Sequence, residues 1–303
     1  SIRRQRQMCI RDRRWVAILS PAVPVPRVWP AFSAILVGYA ASVIIPRSGE
    51  LLRPWIFSRR TNIPLGTSIS SVVVERILDV ITLLCGLGIV FVFQHELVLR
   101  AIPGFTIGGL LLSFVLPAFV LIVAIVLVAF TSLGVRFADF VRRRVRVGIG
   151  NWMHTIMTQV REGTNAVRTP ALWTRLLVQT VVMWALYAVP LWILFKAMPF
   201  TSLSALNLAD ASFVLVVLSV AVAIAPTPGA LGIYQGFAQT ALVQAYAASP
   251  AEGLAFGIIA WLANYGVALV SGAICLLMEF RSGLTIASFR GVRSDVEASS
   301  THR

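Results

Sequence analysis

Three charged residues stand inside one apolar run, TSISSVVVERILDVITLL: Glu75, Arg76 and Asp79. Glu75 and Asp79 are four apart, which on a helix puts both carboxylates on one face, and Arg76 is three before Asp79, within its reach. One such charge at the centre of a spanning helix costs about 2.5–3.5 kcal/mol, so three within about a turn turn away from lipid. Two arrangements satisfy them. One is the polar wall of a cavity that admits a charged headgroup. The other is a closed ion-pair lock between helices. A second charged set lies in IIPRSGELLRP, residues 44–54, with Arg47, Glu50 and Arg53 at the end of about eighteen mostly apolar residues. Arginine grips phosphate through its planar fork, and carboxylates suit cationic groups. The two sets together are chemistry for a polar lipid headgroup.

The second set sits on a break. Laid over residues 224–231, IAPTPGAL, it gives Ile-x-Pro-x-x-Gly-x-Leu twice: Ile44, Pro46, Gly49 and Leu51, then Ile224, Pro226, Gly229 and Leu231. Pro228 and Gly232 add to the second copy. Proline lacks an N–H and glycine admits unusual backbone angles, so both stretches interrupt a helix. Unwound backbone at membrane depth is tolerated where it is buried in protein or lines a cavity. Matching interruptions in two halves point to a transporter's central site. The four-position match is by itself a weak internal repeat.

The elements that hold these residues follow from composition. Hydrophobic residues make up 58% of the 303-residue chain and the mean hydropathy is +0.84. Several windows exceed the roughly 18 apolar residues of a spanning helix, and the short alternating segments of a β-barrel are missing. The fold class is an all-α polytopic membrane protein. Seven spanning or re-entrant helices are predicted, at 28–45, 67–93, 105–130, 171–195, 208–225, 231–248 and 253–279, with one more expected upstream. Fifteen basic residues fall in 46–66, 131–170 and the tail from 280, against Arg100 and Lys196 in the opposing loops. The positive-inside rule puts the first set in the cytoplasm. Residues 208–248 then return the chain to the far side, as two crossings or as a re-entrant hairpin.

Residues 1–14 carry six arginines and one aspartate of a chain whose formal charge is +14. Met8-Cys9-Ile10-Arg11-Asp12-Arg13 back-translates to a sequencing-adapter end, and 1–14 are read as adapter-derived. The domain organisation expected is then 15–280 as one transmembrane domain and 281–303 as a cytoplasmic tail without ordered structure. Cys85 and Cys275 lie in apolar runs without disulfide or metal spacing, and His95, His154 and His302 are scattered in loops and tail. No G-x-x-x-x-G-K-[ST] loop is present, and no cofactor or metal is implied. In 131–170, an arginine cluster at 136–146 precedes a segment with Trp152, Ile156, Val160 and Val167 at near-helical spacing. That loop is either an orientation signal or a surface for anionic lipid.

The chain resembles the lysylphosphatidylglycerol synthase transmembrane-region family, flippase-like integral membrane proteins. Pro46, Gly49, Glu50 and Arg53 fit a first motif of the N-x-x-x-P-x-R-x-G-E-x-x-R kind, with Arg47 directly after Pro46. Glu75, Arg76 and Asp79 fit E-R-x-x-D, and Pro226, Pro228, Gly229 and Gly232 fit P-x-P-G-G-x-G-x-x-E. Ala230 replaces a usual Gly, and Gln235 a usual Glu, which keeps the hydrogen bonding and loses the charge. The resemblance implies a scaffold that moves a polar-headed phospho- or glycolipid between leaflets of the inner (plasma) membrane. Its substrate-binding residues would be Arg47, Glu50, Arg53, Glu75, Arg76, Asp79, Pro226, Pro228, Gly229, Gly232 and Gln235. Two other readings remain: a membrane-embedded lipid-modifying enzyme, which lacks a histidine nucleophile in any span, and a non-catalytic membrane partner of a glycosyltransferase docked on the 131–170 loop.

Overall fold

The computed structural model describes residues 10–19, 28–63, 65–101, 106–110, 116–130, 170–198, 202–225 and 227–281, with Leu112, Arg136 and Asp139. Every regular element among them is helical. In chain order these are α1 (Ile10–Leu19), α2 (Val28–Ile44), α3 (Gly49–Thr61), α4 (Leu65–Phe93), α5 (His95–Ala101), α6 (Ile107–Leu110), α7 (Leu116–Phe130), α8 (Pro170–Ala197), α9 (Leu208–Ile224), α10 (Ile233–Tyr246), α11 (Pro250–Trp261) and α12 (Val267–Arg281). Short 3₁₀ turns cover Ser202–Ala205 and Pro228–Ala230, and a π-turn, Leu262–Gly266, joins α11 to α12. Among the described residues, three stretches are long and apolar enough to cross a membrane, Thr67–Phe93, Thr174–Ala197 and Pro250–Met278, and Trp29–Ile44 and Leu208–Ile224 are shorter apolar helices.

The first break makes a helical hairpin. The chain turns over Ile45–Ser48, closed by Ser48 N–H donating to Ile45 O at 3.1 Å, and Arg47 takes a left-handed φ of +62°. Gly49 then lies so close to α2 that a Cβ on it would stand 2.0 Å from Gly38 O, and its N–H donates to Ser42 Oγ at 3.0 Å. Gly38 faces Arg53 in the same way. Residue 49 beside 42, and 53 beside 38, run the two helices antiparallel. Trp55, Ile56 and Phe57 of α3 are buried in one core with Ala31, Ala34 and Ile35 of α2. Sequence reading took 46–66 as a basic cytoplasmic segment after a full crossing. Most of it is instead α3, folded back along α2, with Arg59 and Arg60 brought near the start of α2.

The second break makes another hairpin, of α9 and α10. Phe213 near the start of α9 meets Tyr246 at the end of α10, with ring centroids 6.0 Å apart. Between the helices the backbone is left-handed at Gly229 (φ +56°), Ala230 (φ +54°) and Gly232 (φ +82°). Asn207 caps α9, accepting from Ala209 N–H at 2.7 Å, and Asp210 returns the bond to Asn207 N–H. Pro226 lies outside the described residues, as do almost all of the 131–170 loop, the tail after 281 and residues 1–9.

The hairpins enter the bundle from opposite ends. At one end, Gln94 after α4 donates to Ala209 O at 2.9 Å, Phe195 of α8 stacks on Phe256 of α11 at 4.8 Å, and Gln239 of α10 donates to Pro250 O at 2.9 Å. That end holds the open side of the α9–α10 hairpin. At the other, Cys275 of α12 shares a core with Ala31, Ala34 and Ile35 of α2, where the α2–α3 hairpin opens. The tips meet between: a Cβ on Gly229 would stand 3.1 Å from Val43 Cγ1, one turn before the first break. The meeting point is beside Trp261, whose indole N–H donates to Gly229 O at 2.8 Å. Trp261 is the twelfth residue from Pro250 in a continuous run to Arg281, so the tips lie about 17 Å along an element about 45 Å long.

Candidate functional site

Helix α4 carries Glu75 and Asp79 on one face, and α1 and α3 pack against it there. Glu75 is fully buried. Its Oε2 meets Arg53 Nη2 at 2.7 Å, and its Oε1 lies 3.5 Å from Arg14 Nη2 and 3.4 Å from Arg76 Nη2. Asp79 is a quarter exposed; its Oδ2 meets Arg76 at 2.9 Å and its Oδ1 is bonded to Arg14 Nη2. The Arg53 guanidinium also lies over the Trp15 ring, 3.9 Å from its centroid. Trp15 in turn donates to Ser71 Oγ at 2.9 Å, and Ser71 to Ser68 O at 2.7 Å. The cluster is thus built from three helices and framed by hydrogen bonds that hold its aromatic floor.

Three guanidiniums face two carboxylates, a formal excess of one positive charge among the described residues. Arg14 is fully buried, and its Nε and Nη1 have no hydrogen-bond partner among them. The buried end, around Glu75, is a closed lock between helices. The Arg76 end is open, with 38% of that side chain exposed. The closed lock that the triplet allowed is therefore present at the Glu75 end, while Arg76 and Asp79 are partly exposed at the other.

Sequence reading brought Arg53, Glu75, Arg76 and Asp79 together, and the structure does so too. It leaves Arg47 and Glu50 outside, both exposed at the first tip and neither in an ion pair with a described residue. Arg53 is four residues into α3 from Gly49, so the cluster lies about 6 Å, one helical turn, from that tip. Pro228, Gly229, Gly232 and Gln235 form the second tip. Gln235 is buried, and its Oε1 accepts from Gly232 N–H at 2.8 Å. It caps the start of α10 and faces the backbone, a job that needs an acceptor and no charge.

The cluster contains one residue that sequence reading set aside. Arg14 falls within 1–14, yet the adapter match accounts for codons only as far as Arg13. The arginine next to Trp15, at the start of an apolar stretch, was the available signal. Trp261 was missed as well: an aromatic in an apolar run carries no sign that its N–H will hold a broken backbone elsewhere.

The model of one protein family, the lysylphosphatidylglycerol synthase TM region, matches residues 6–272. The chain belongs to that family. Comparison with curated proteins and with solved structures gives no significant match. As a lysylphosphatidylglycerol synthase TM-region protein it is a multi-pass integral membrane protein, in keeping with its long apolar helices. The family match spans the ion cluster and both hairpin tips. The exposed large apolar side chains of α4, α7, α8 and α12, among them Val92, Phe119, Val181 and Val270, then have lipid as their surroundings.

Proposed function

We propose that this protein moves a polar-headed phospho- or glycolipid between the leaflets of the inner (plasma) membrane, with its arginine-rich end in the cytoplasm. The observation that carries the reading is the meeting of two broken hairpins, entered from opposite ends, part-way along the long helix. Hairpin tips at depth expose backbone that lipid cannot satisfy, and proteins use that arrangement where a substrate passes. The ion cluster one turn away supplies an excess positive charge suited to a phosphate. The cytoplasmic assignment rests on the positive-inside rule applied to the arginines of 46–66, 131–170 and the tail, against Arg100 and Lys196 in the opposing loops.

The substrate-facing roles divide by position. Arg76 and Asp79 offer the accessible edge of the cluster, and Arg47 and Glu50 the first tip. Arg53 and Glu75 hold α3 to α4, while Gly229, Gly232 and Gln235 hold the second tip in shape. The test is reconstitution into liposomes with a panel of fluorescent lipids. A rise in leaflet exchange of one or more phospho- or glycolipids, lost in Arg76→Gln with normal folding, is the expected result. A panel on which no lipid moves faster than in protein-free vesicles refutes the reading.

A further inference from the structure

The first hairpin tip carries a feature that the ion cluster does not use. An open, apolar groove of about 320 Å³ is lined by Ala41, Ile44 and Ile45 on one side of the turn and by Leu51 and Leu52 on the other, with Ser48 between them. Ile44, Ile45 and Leu51 are each more than half exposed. Arg47 stands at the turn itself, exposed, and the left-handed backbone at this residue belongs to the turn. The Ser48 hydroxyl is shielded and has no hydrogen-bond partner among the described residues.

Depth makes this arrangement costly unless something occupies it. The 17 residues of α2 place the turn about 25 Å from the end where the hairpin opens, along an α4 about 43 Å long. An arginine at such depth without a carboxylate is expensive, and such residues mark substrate paths. A groove that is greasy along its walls, on a turn that carries an exposed arginine with no carboxylate partner among the described residues, fits a molecule with the same two parts. We propose that it holds one acyl chain of a phospholipid, with the lipid's phosphate on Arg47. Glu50, three residues on, exposed and in no ion pair with a described residue, would disfavour a second anion there.

This rests on the lipid-translocation reading and assigns the transit site within it: the tip takes the lipid, while the Glu75 end of the cluster fastens the helices. It is tested without transport. The purified full chain in nanodiscs is given a phosphatidylglycerol bearing a photoactivatable diazirine near its acyl terminus, and labelled residues are mapped by mass spectrometry. Labelling is expected at Ile44, Ile45, Leu51 or Leu52 above that at the lipid-facing Leu177 and Val181. Arg47→Gln lowers groove labelling about tenfold, as for loss of a charge-assisted hydrogen bond, and Arg47→Lys restores much of it. Leu51→Trp, which fills the groove and keeps Arg47, lowers it as well. A diacylglycerol with the same probe labels the groove as weakly as phosphatidylglycerol labels Arg47→Gln. Groove labelling equal to that at Leu177 and Val181, or unchanged in both Arg47→Gln and Leu51→Trp, overturns the proposal. Groove labelling with no leaflet exchange for any lipid keeps the site and removes the translocation reading.

Discussion

Replacing Glu75 with Gln keeps the shape of the side chain and removes the one charge that touches three arginines. Arg14 and Arg53 are buried and would be left with too little negative charge beside them. Breaking a buried ion pair from one side costs about 3–5 kcal/mol, because the remaining charge stays in a low-dielectric site. Whole-protein stabilities are about 5–15 kcal/mol, so the loss is a large fraction. At roughly 2–4 °C per kcal/mol for chains of this general size, the melting temperature falls by about 6–20 °C. The measurement is a tryptophan-fluorescence melt of the detergent-solubilised protein, with recovery of monodisperse protein after heating as a second readout. Asp79→Asn falls by less, since Asp79 is a quarter exposed, and Arg76→Gln by least, since Arg76 is more than a third exposed. A double change, Arg53→Met with Glu75→Leu, recovers part of the loss, because an apolar pair of similar size needs no counter-charge. A Glu75→Gln melt within about 2 °C of the parent, or an order in which Arg76→Gln is worst, would show that the cluster is not a lock at its Glu75 end, given the expected shift.

Gly49→Ala brings a Cβ to 2.0 Å from Gly38 O, so the first hairpin must open and folded yield collapses, whereas Gly88→Ala, with nothing within 4 Å, gains about 0.5–1 kcal/mol; side-by-side expression and melting checks both. Gln235→Glu keeps an acceptor for Gly232 N–H and changes stability little, while Gln235→Ala loses about 0.5–2 kcal/mol, read as a lower melt with Glu and Ala compared directly. A cysteine at Asn62 is shielded from an impermeant thiol reagent outside intact cells, and one at Ala247 reacts; the opposite pattern reverses the assigned orientation. If Met8–Arg13 derive from an adapter, the intact gene carries a different sequence upstream of Arg14, and finding MCIRDR in unamplified genomic DNA rejects that origin.

The helices were legible because apolar length is a one-dimensional signal. Val28–Ile44, Leu65–Phe93, Pro170–Ala197, Leu208–Ile224 and Ile233–Tyr246 fall within a few residues of the predicted spans. Helix α3 was not legible: GELLRPWIFSRRT carries three arginines, one glutamate and a proline, which by composition reads as a loop. It is buried because Gly38 and Gly49 let two backbones touch, and glycine in a sequence does not say what it will touch. The pairing of Arg53 with Glu75 was legible in kind, since buried charges need partners, and its third partner, Arg14, was hidden in a stretch set aside on other grounds. The exposure of Arg47 and Glu50 depended on a turn whose hand the sequence left open.

The π-turn at Leu262–Gly266 changes the phase of the long helix it interrupts. Gly253 packs against Gln239 of α10, and Gly272 against Leu36 and Ala40 of α2. They are nineteen residues apart in sequence, and in an uninterrupted α-helix of 3.6 residues per turn that leaves their faces about 100° out of line. A π-turn accommodates one residue more than an α-turn, so the count that sets the angle is about eighteen, five full turns. The extra residue thereby returns both glycines to one side of the helix. A single rail can then carry both hairpins along one edge, one from each end, with their tips abutting where the phase is corrected. Deleting one residue from 262–266 should leave both contacts aligned and straighten the rail, whereas deleting one from 254–260 should swing one hairpin off it.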